Sequence, residues 1–220
     1  MCLTNSVAQD ITANALLALG VKPAMVASSR EASDLTKVAD AVLINLGTVS
    51  SQQAKVMAAA LPTASNCAWV LDPVAVQLLT YRRKVMEKLF SIQYPTVIRG
   101  NHDEIDFLKA NYHEETLRIP MLSTGAVDRI YLGGEITNTI EGGVEMLTKV
   151  TATGCSQGAI LAGLLAMGKG TTEAMHEASV LMKRCGERAY EKAKSSGSFR
   201  TALIDSIYEY AEEKGWHAAV

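Results

Sequence analysis

This chain of 220 residues has almost no excess charge: 21 Lys and Arg against 23 Asp and Glu leave a net charge of −2. Nucleic acid and anionic membrane surfaces both reward a surplus of Lys and Arg, so neither is an expected partner. Cysteine is sparse, and Cys2, Cys67, Cys155 and Cys185 are scattered without a C-x-x-C pair. That excludes a zinc framework and an evident disulfide scaffold, and reduced thiols in a cytoplasmic protein fit best. Proline occurs five times, and no linker, internal repeat or low-complexity tract divides the chain. No charged n-region precedes an apolar segment at the start, and the apolar run after Cys155 is broken by Gln157, Gly158 and Gly163 before it reaches bilayer length. What is present is a 48% hydrophobic composition, enough for the full core of a single soluble domain over residues 1–220.

Short apolar runs alternate with helical patterns. Segments 41–47, 68–73, 96–101 and 119–125 read as buried strands, each ending in polar or small residues. Helical segments are expected near 8–19, 31–38, 51–61, 80–91 and 103–112, which gives the strand-helix-strand order of an α/β fold with a mainly parallel sheet. Ligands of such sheets sit outside the carboxyl ends of the strands, where Asn45, Asp72, Arg99, Asn101 and Thr124 emerge. Further on, Arg129 to Ile136 reads as a hairpin around Gly133 and Gly134. Ala174, Ala178, Leu181, Met182, Cys185 and Ala189 share one face of a helix over 171–192 and read as packing residues. Ser195, Ser196 and Gly197 are expected to stop that helix, with another starting near Phe199 to Thr201.

The stretch from Thr148 to Met167 carries the clearest chemical signal. Thr151 to Gly154 leave the backbone bare ahead of an apolar helix, whose unpaired N–H groups and positive dipole end would face that turn and could hold a phosphate. Cys155, read as the first helical residue, would have its thiol pKa lowered by the same field. The same residues also suit a buried cysteine at an ordinary loop-helix junction.

In chain order, Cys2-Leu-Thr-Asn5, Thr12 to Gly20, Pro23-Ala-Met25, Leu43 to Thr48, Leu71-Asp-Pro-Val-Ala75, Ile98-Arg-Gly-Asn101, Glu104-Ile105, Ser123-Thr-Gly125, Thr148-Lys-Val-Thr151 and Gly197-Ser-Phe199 resemble the hydroxyethylthiazole kinase family. The resemblance spans nearly the whole chain and implies a ribokinase-like fold, with a central sheet flanked by helices on both faces. It also implies transfer of the ATP γ-phosphoryl group to the hydroxyl of 4-methyl-5-(2-hydroxyethyl)thiazole in thiamine biosynthesis or salvage, and a homotrimer with active sites at subunit boundaries. By the same resemblance Asn5, Met25 and Ala152 fall at substrate positions. Arg99, Asn101 and Thr124 fall at ATP positions, Asp72 and Glu104 at an acidic pair associated with Mg2+, and Cys155 with Gly154 beside the transferring group. The side-chain chemistry is compatible: Arg99 offers a donor fork suited to phosphate, and the two carboxylates are hard oxygen ligands. Two other readings stay open, a noncatalytic small-molecule binder of this fold and a kinase for another alcohol such as hydroxymethylpyrimidine.

The chain also departs from the family pattern. It begins abruptly at the first strand, which is expected to leave Asn5 weakly anchored. Between Leu108 and Ile119 only residues 109–118 remain, so one face of the sheet is expected to lose cover. Ala152 replaces the first glycine of a Gly-x-Gly-Cys turn and resists positive φ, and Gln77 and Leu78 add bulk after Asp72.

Overall fold

Alternate residues of the central strands feed two separate hydrophobic cores in the computed structural model, which describes residues 1–64 and 67–219. Among the described residues seven strands form one sheet in sequence order: β1 (Cys2–Leu3), β2 (Ala41–Asn45), β3 (Ala68–Asp72), β4 (Val97–Asn101), β5 (Met121–Thr124), β6 (Asp128–Leu132) and β7 (Glu135–Ile140). The first five run parallel, and β6 and β7 add antiparallel.

Strands laid down in order by right-handed crossovers put their connecting helices on one face. The helices α3 (Ser51–Ala60), α4 (Thr80–Phe90) and α5 (His102–Asn111) accordingly pack with α2 (Ser29–Thr36) over Ile44, Leu71, Ile98 and Met121. The other face, carrying Leu43, Val70, Val97 and Leu122, is covered by α1 (Gln9–Leu19), α7 (Thr153–Ala166), α8 (Thr171–Lys192) and α9 (Ser196–Glu213). Every residue of the expected packing stripe on α8 is buried there.

Most expected elements are present within a few residues, with two corrections. Ser196 and Gly197 do not stop a helix: the break spans 193–195, and Ser196 opens α9. The short crossover before β5 is not bare, because α6 (His113–Arg118) forms within it, Thr116 is buried, and Ile119 joins the core under α2 to α5. The expected loss of cover is therefore confined to side chains such as Leu117, which is 44% exposed. The β6–β7 hairpin turns at Gly133 and Gly134, with φ of 60° and 82°. A type I′ two-residue loop, whose twist matches its strands, needs positive φ at both positions.

Candidate active site

The side-chain period of a strand is two, so residues two beyond Leu43, Val70, Val97 and Leu122 must face the same side of the sheet. Those residues are Asn45, Asp72, Arg99 and Thr124, at the carboxyl ends of β2 to β5. Register sets them side by side: Asn45 pairs with Asp72, Asn101 with Thr124, and Leu71 with Ile98, one step before Asp72 and Arg99. All four are buried, Asn45 and Asp72 completely.

Buried polar groups must be paired, and here they pair with one another. Asn45 Nδ2 donates to Asp72 Oδ2 at 2.9 Å, and Asn5 Nδ2 donates to Asn45 Oδ1 at 3.0 Å. Arg99 Nη1 lies 3.7 Å from Asp72 Oδ2, while Arg99 Nη2 donates to Thr124 Oγ1 at 2.7 Å and to Gln157 Oε1 at 3.1 Å. The Asn5 amide also lies 3.7 Å from Cys155 Sγ.

Helix α7 brings its N-terminus onto this row. Helices α3 and α5 begin with capping boxes, Ser50 with Gln53 and Asn101 with Glu104, but α7 has no side-chain cap. Its first N–H groups are left for another acceptor, with the positive dipole end behind them. Ala152 precedes the helix in the left-handed region, at φ 67°. Gly154 lets the helix close on the sheet: a Cβ there would lie 2.9 Å from Arg99 Nη1 and 3.0 Å from Nη2. Beside this turn opens a cavity of about 560 Å³ lined by Arg99, Asn101, Thr124, Thr153, Gly154 and Gln157, with Asp128 and Lys183 in its wall.

The thiol corrects two expectations. Cys155 is the third residue of α7, because Thr153 already opens the helix with its hydroxyl on Leu147 O. Its pKa is raised rather than lowered, chiefly by burial and then by the charge of Asp72; hydrogen bonds from Asn45 and Asn5 and the Arg99 charge only partly offset this. Burial also pushes Asp72 up to about 7, with Arg99 opposing and Glu104 adding to the rise.

Whether Asp72 and Glu104 suit a divalent cation turns on their free oxygens. Asp72 Oδ1 is buried without a partner. Glu104 Oε1 accepts from Ala75 N and Oε2 from Asn101 N, both at 2.7 Å, so each oxygen keeps one lone-pair direction. Among the described residues no group of three or more His, Cys, Asp or Glu gathers as a protein-only cage. Mg2+ keeps several waters and takes one or two carboxylates plus substrate phosphates, and a pair of this kind fits that mode.

The structure thus brings Asn5, Asp72, Arg99, Thr124, Gly154 and Cys155 together; Asn101 lines the cavity beside them, Glu104 is buried against Asn101, and Ala152 precedes α7. Asn5 is firmly held, contrary to expectation, since its Oδ1 also accepts from Ala8 N at 3.0 Å. Met25 stands aside from this bonded group: its backbone bridges to Cys2, and its half-buried side chain packs on the core under α1, α7, α8 and α9. Asp128, Gln157 and Lys183 belong to the site and were not singled out from the sequence. Gln157 carried a usable signal, because an amide in a helix that is otherwise apolar must find partners in the protein.

A family model described as the hydroxyethylthiazole kinase family matches residues 1–118 and 110–213, and the two stretches overlap at the short crossover. The chain is 39% identical over 232 residues to a hydroxyethylthiazole kinase of Cronobacter sakazakii, covering 96% of this chain and 87% of the relative. It is also 39% identical over 236 residues to one from Escherichia coli O6:H1, covering 96% and 89%. A solved hydroxyethylthiazole kinase protein from Pyrococcus horikoshii OT3 superposes with a TM-score of 0.86 at 33% identity, covering 94% of this chain and 86% of that one. A ribokinase-like superfamily protein from Enterococcus faecalis V583 shares the fold, with a TM-score of 0.74 at 15% identity over 96% and 85% of the two chains.

Proposed function

The chain belongs to the hydroxyethylthiazole kinase family, and on that premise we propose that it transfers the γ-phosphoryl group of ATP to the primary hydroxyl of 4-methyl-5-(2-hydroxyethyl)thiazole, a step of thiamine biosynthesis or salvage. It is a phosphotransferase of ribokinase-like fold and, as a kinase, uses ATP. The observation that carries the reading is the meeting of the uncapped α7 N-terminus at Gly154 with the Arg99 guanidinium, beside the Cys155 thiol.

Charge in phosphoryl transfer spreads over the oxygens of the moving group, so donors fixed before reaction do most of the work. Thr153, Gly154 and Cys155 would offer backbone N–H groups to those oxygens, and Arg99 a fork held by Thr124 and Gln157. The cavity beside Asn101 and Thr124 would receive the rest of the nucleotide. Mg2+, held by Asp72 and Glu104, would offset phosphate charge when bound with ATP. Cys155 would lie nearest the accepting hydroxyl, and its raised pKa keeps it a neutral thiol, a weak acceptor for that proton. Asn5, Met25 and Ala152 would shape the thiazole side.

The family match on both sides of the short crossover supports one kinase domain shortened near 109–118. The proposal extends to a cytoplasmic homotrimer, which rests on the family resemblance. Among the described residues no helix is long and apolar enough to cross a membrane.

ADP release with Mg-ATP, measured against a panel of thiazole and pyrimidine alcohols alongside ligand-induced thermal shifts, tests the proposal. Turnover that prefers the hydroxyethylthiazole is expected. A thermal shift without turnover, or preference for a pyrimidine alcohol, would overturn it.

A further inference from the structure

Arg99 does not hold its place alone. Its Nη2 donates to Gln157 Oε1 at 3.1 Å, and the far end of the same amide, Gln157 Nε2, donates to Asp128 Oδ2 at 3.4 Å. The other Asp128 oxygen accepts from Gly125 N at 3.0 Å and faces Lys183 Nζ at 3.4 Å. Lys183 donates to Ala126 O, Gly142 O and Gly125 O at 3.0, 3.1 and 3.3 Å. Gln157, Asp128 and Lys183 are 5%, 3% and 6% exposed and all line the cavity that receives the nucleotide in the reading above.

An amide side chain has an accepting end and a donating end. The Asp128 carboxylate can only accept, so it takes the donating end of Gln157 and turns the accepting end toward Arg99. If the amide were reversed, two sets of N–H groups would face each other at Arg99, and two acceptors would face each other at Asp128. Lys183 in turn has its three protons committed to the loops 125–126 and 142, with no spare donor for a ligand. Its ammonium ties those two walls of the cavity to Asp128.

We propose that Lys183, Asp128 and Gln157 are positioning residues: a polarity relay that sets the direction of the Gln157 amide and thereby holds the Arg99 guanidinium at the α7 N-terminus for the nucleotide phosphates. The proposal rests on the kinase reading and adds to it the residues that govern ATP affinity.

The test is a charge-swap cycle, with the wild-type protein first shown to bind ADP by calorimetry and to turn over. Asp128→Asn keeps the shape but offers N–H groups toward position 157, so the Gln157 amide reverses and presents donors to Arg99. Gln157→Glu sets a second carboxylate against Asp128. Each single change should raise the KM for ATP by about tenfold, the scale of one hydrogen bond to a charged group, and lower kcat as well, because Arg99 also serves the transition state. In the double variant the carboxylate at 157 accepts both from the amide at 128 and from Arg99, and the KM for ATP should return to within about threefold of wild type. Gln157→Met, neutral and similar in size, should weaken ATP binding like the singles, and it serves if a charged variant does not fold. A KM for ATP unchanged in Gln157→Met or in both singles overturns the relay, as does a double variant no better than either single. A wild-type protein that binds no nucleotide and releases no ADP overturns the kinase reading instead.

Discussion

The Arg99 guanidinium occupies the space that a side chain on Gly154 would need, with Nη1 2.9 Å and Nη2 3.0 Å from the position of its Cβ. Gly154→Ala must therefore push the fork away from the helix N-terminus. The expected result is a fall in kcat/KM for ATP of about 100-fold, the scale of losing one pre-placed donor. Thermal denaturation should report a stability loss of about 1–3 kcal/mol from overpacking. Full activity in this variant would separate Arg99 from catalysis.

Cys155 is a buried thiol whose pKa is raised, so it is a weak proton acceptor at neutral pH. A carboxylate in its place would serve the accepting hydroxyl at least as well. Cys155→Asp should keep or increase turnover, whereas Cys155→Ala should lose less than about 100-fold, the low end of general base contributions. A large loss in the Asp variant would remove Cys155 from its place beside the hydroxyl.

Asp72 gives a stability signature with a defined sign. Its pKa rises from 3.8 to about 7 in the folded protein, through burial first. Between those values the folded protein holds a proton that the unfolded chain has released, so stability from this group falls as pH rises from about 4 to about 7. Asp72→Asn removes that loss. Its melting temperature relative to wild type should climb across the window and level off above it, while phosphoryl transfer falls. A difference between the two proteins that stays flat with pH would contradict the assignment.

Ala152, like Ala75 at φ 55°, holds a left-handed backbone, at φ 67°. Ala152→Gly should stabilise the protein by about 1 kcal/mol, raising the melting temperature by about 2–4 °C for a chain of this size. A decrease would show that the turn before α7 is not strained.

The sheet was legible because its strands are short apolar runs ending in polar residues, and the same ends located Asn45, Asp72, Arg99 and Thr124. Their common face follows from the two-residue period and the parallel register, so the convergence was readable before any side chain was placed. The start of α7 was not. Thr153 bonds back to Leu147 O, a contact that spacing does not reveal, and this moves Cys155 two residues into the helix. The direction of the Cys155 shift was missed because burial, absent from sequence, outweighs the helix field. Lys183 and Asp128 escaped notice for a related reason. A charged residue beside a packing stripe reads as solvated, and only the tertiary fold brings the two buried side chains to 3.4 Å. The small elements, α6 and the first turn of α9, start without a side-chain cap and are too short to show a clear periodicity.

The central claim is phosphoryl transfer to the thiazole alcohol at the junction of Arg99 and Gly154, and the most direct measurement is a 31P NMR time course of wild type and Arg99→Met with Mg-ATP and 4-methyl-5-(2-hydroxyethyl)thiazole. The wild type should form thiazole phosphate and ADP in equal amounts, and Arg99→Met should form both far more slowly. ADP without thiazole phosphate, or equal rates in the two proteins, would contradict it.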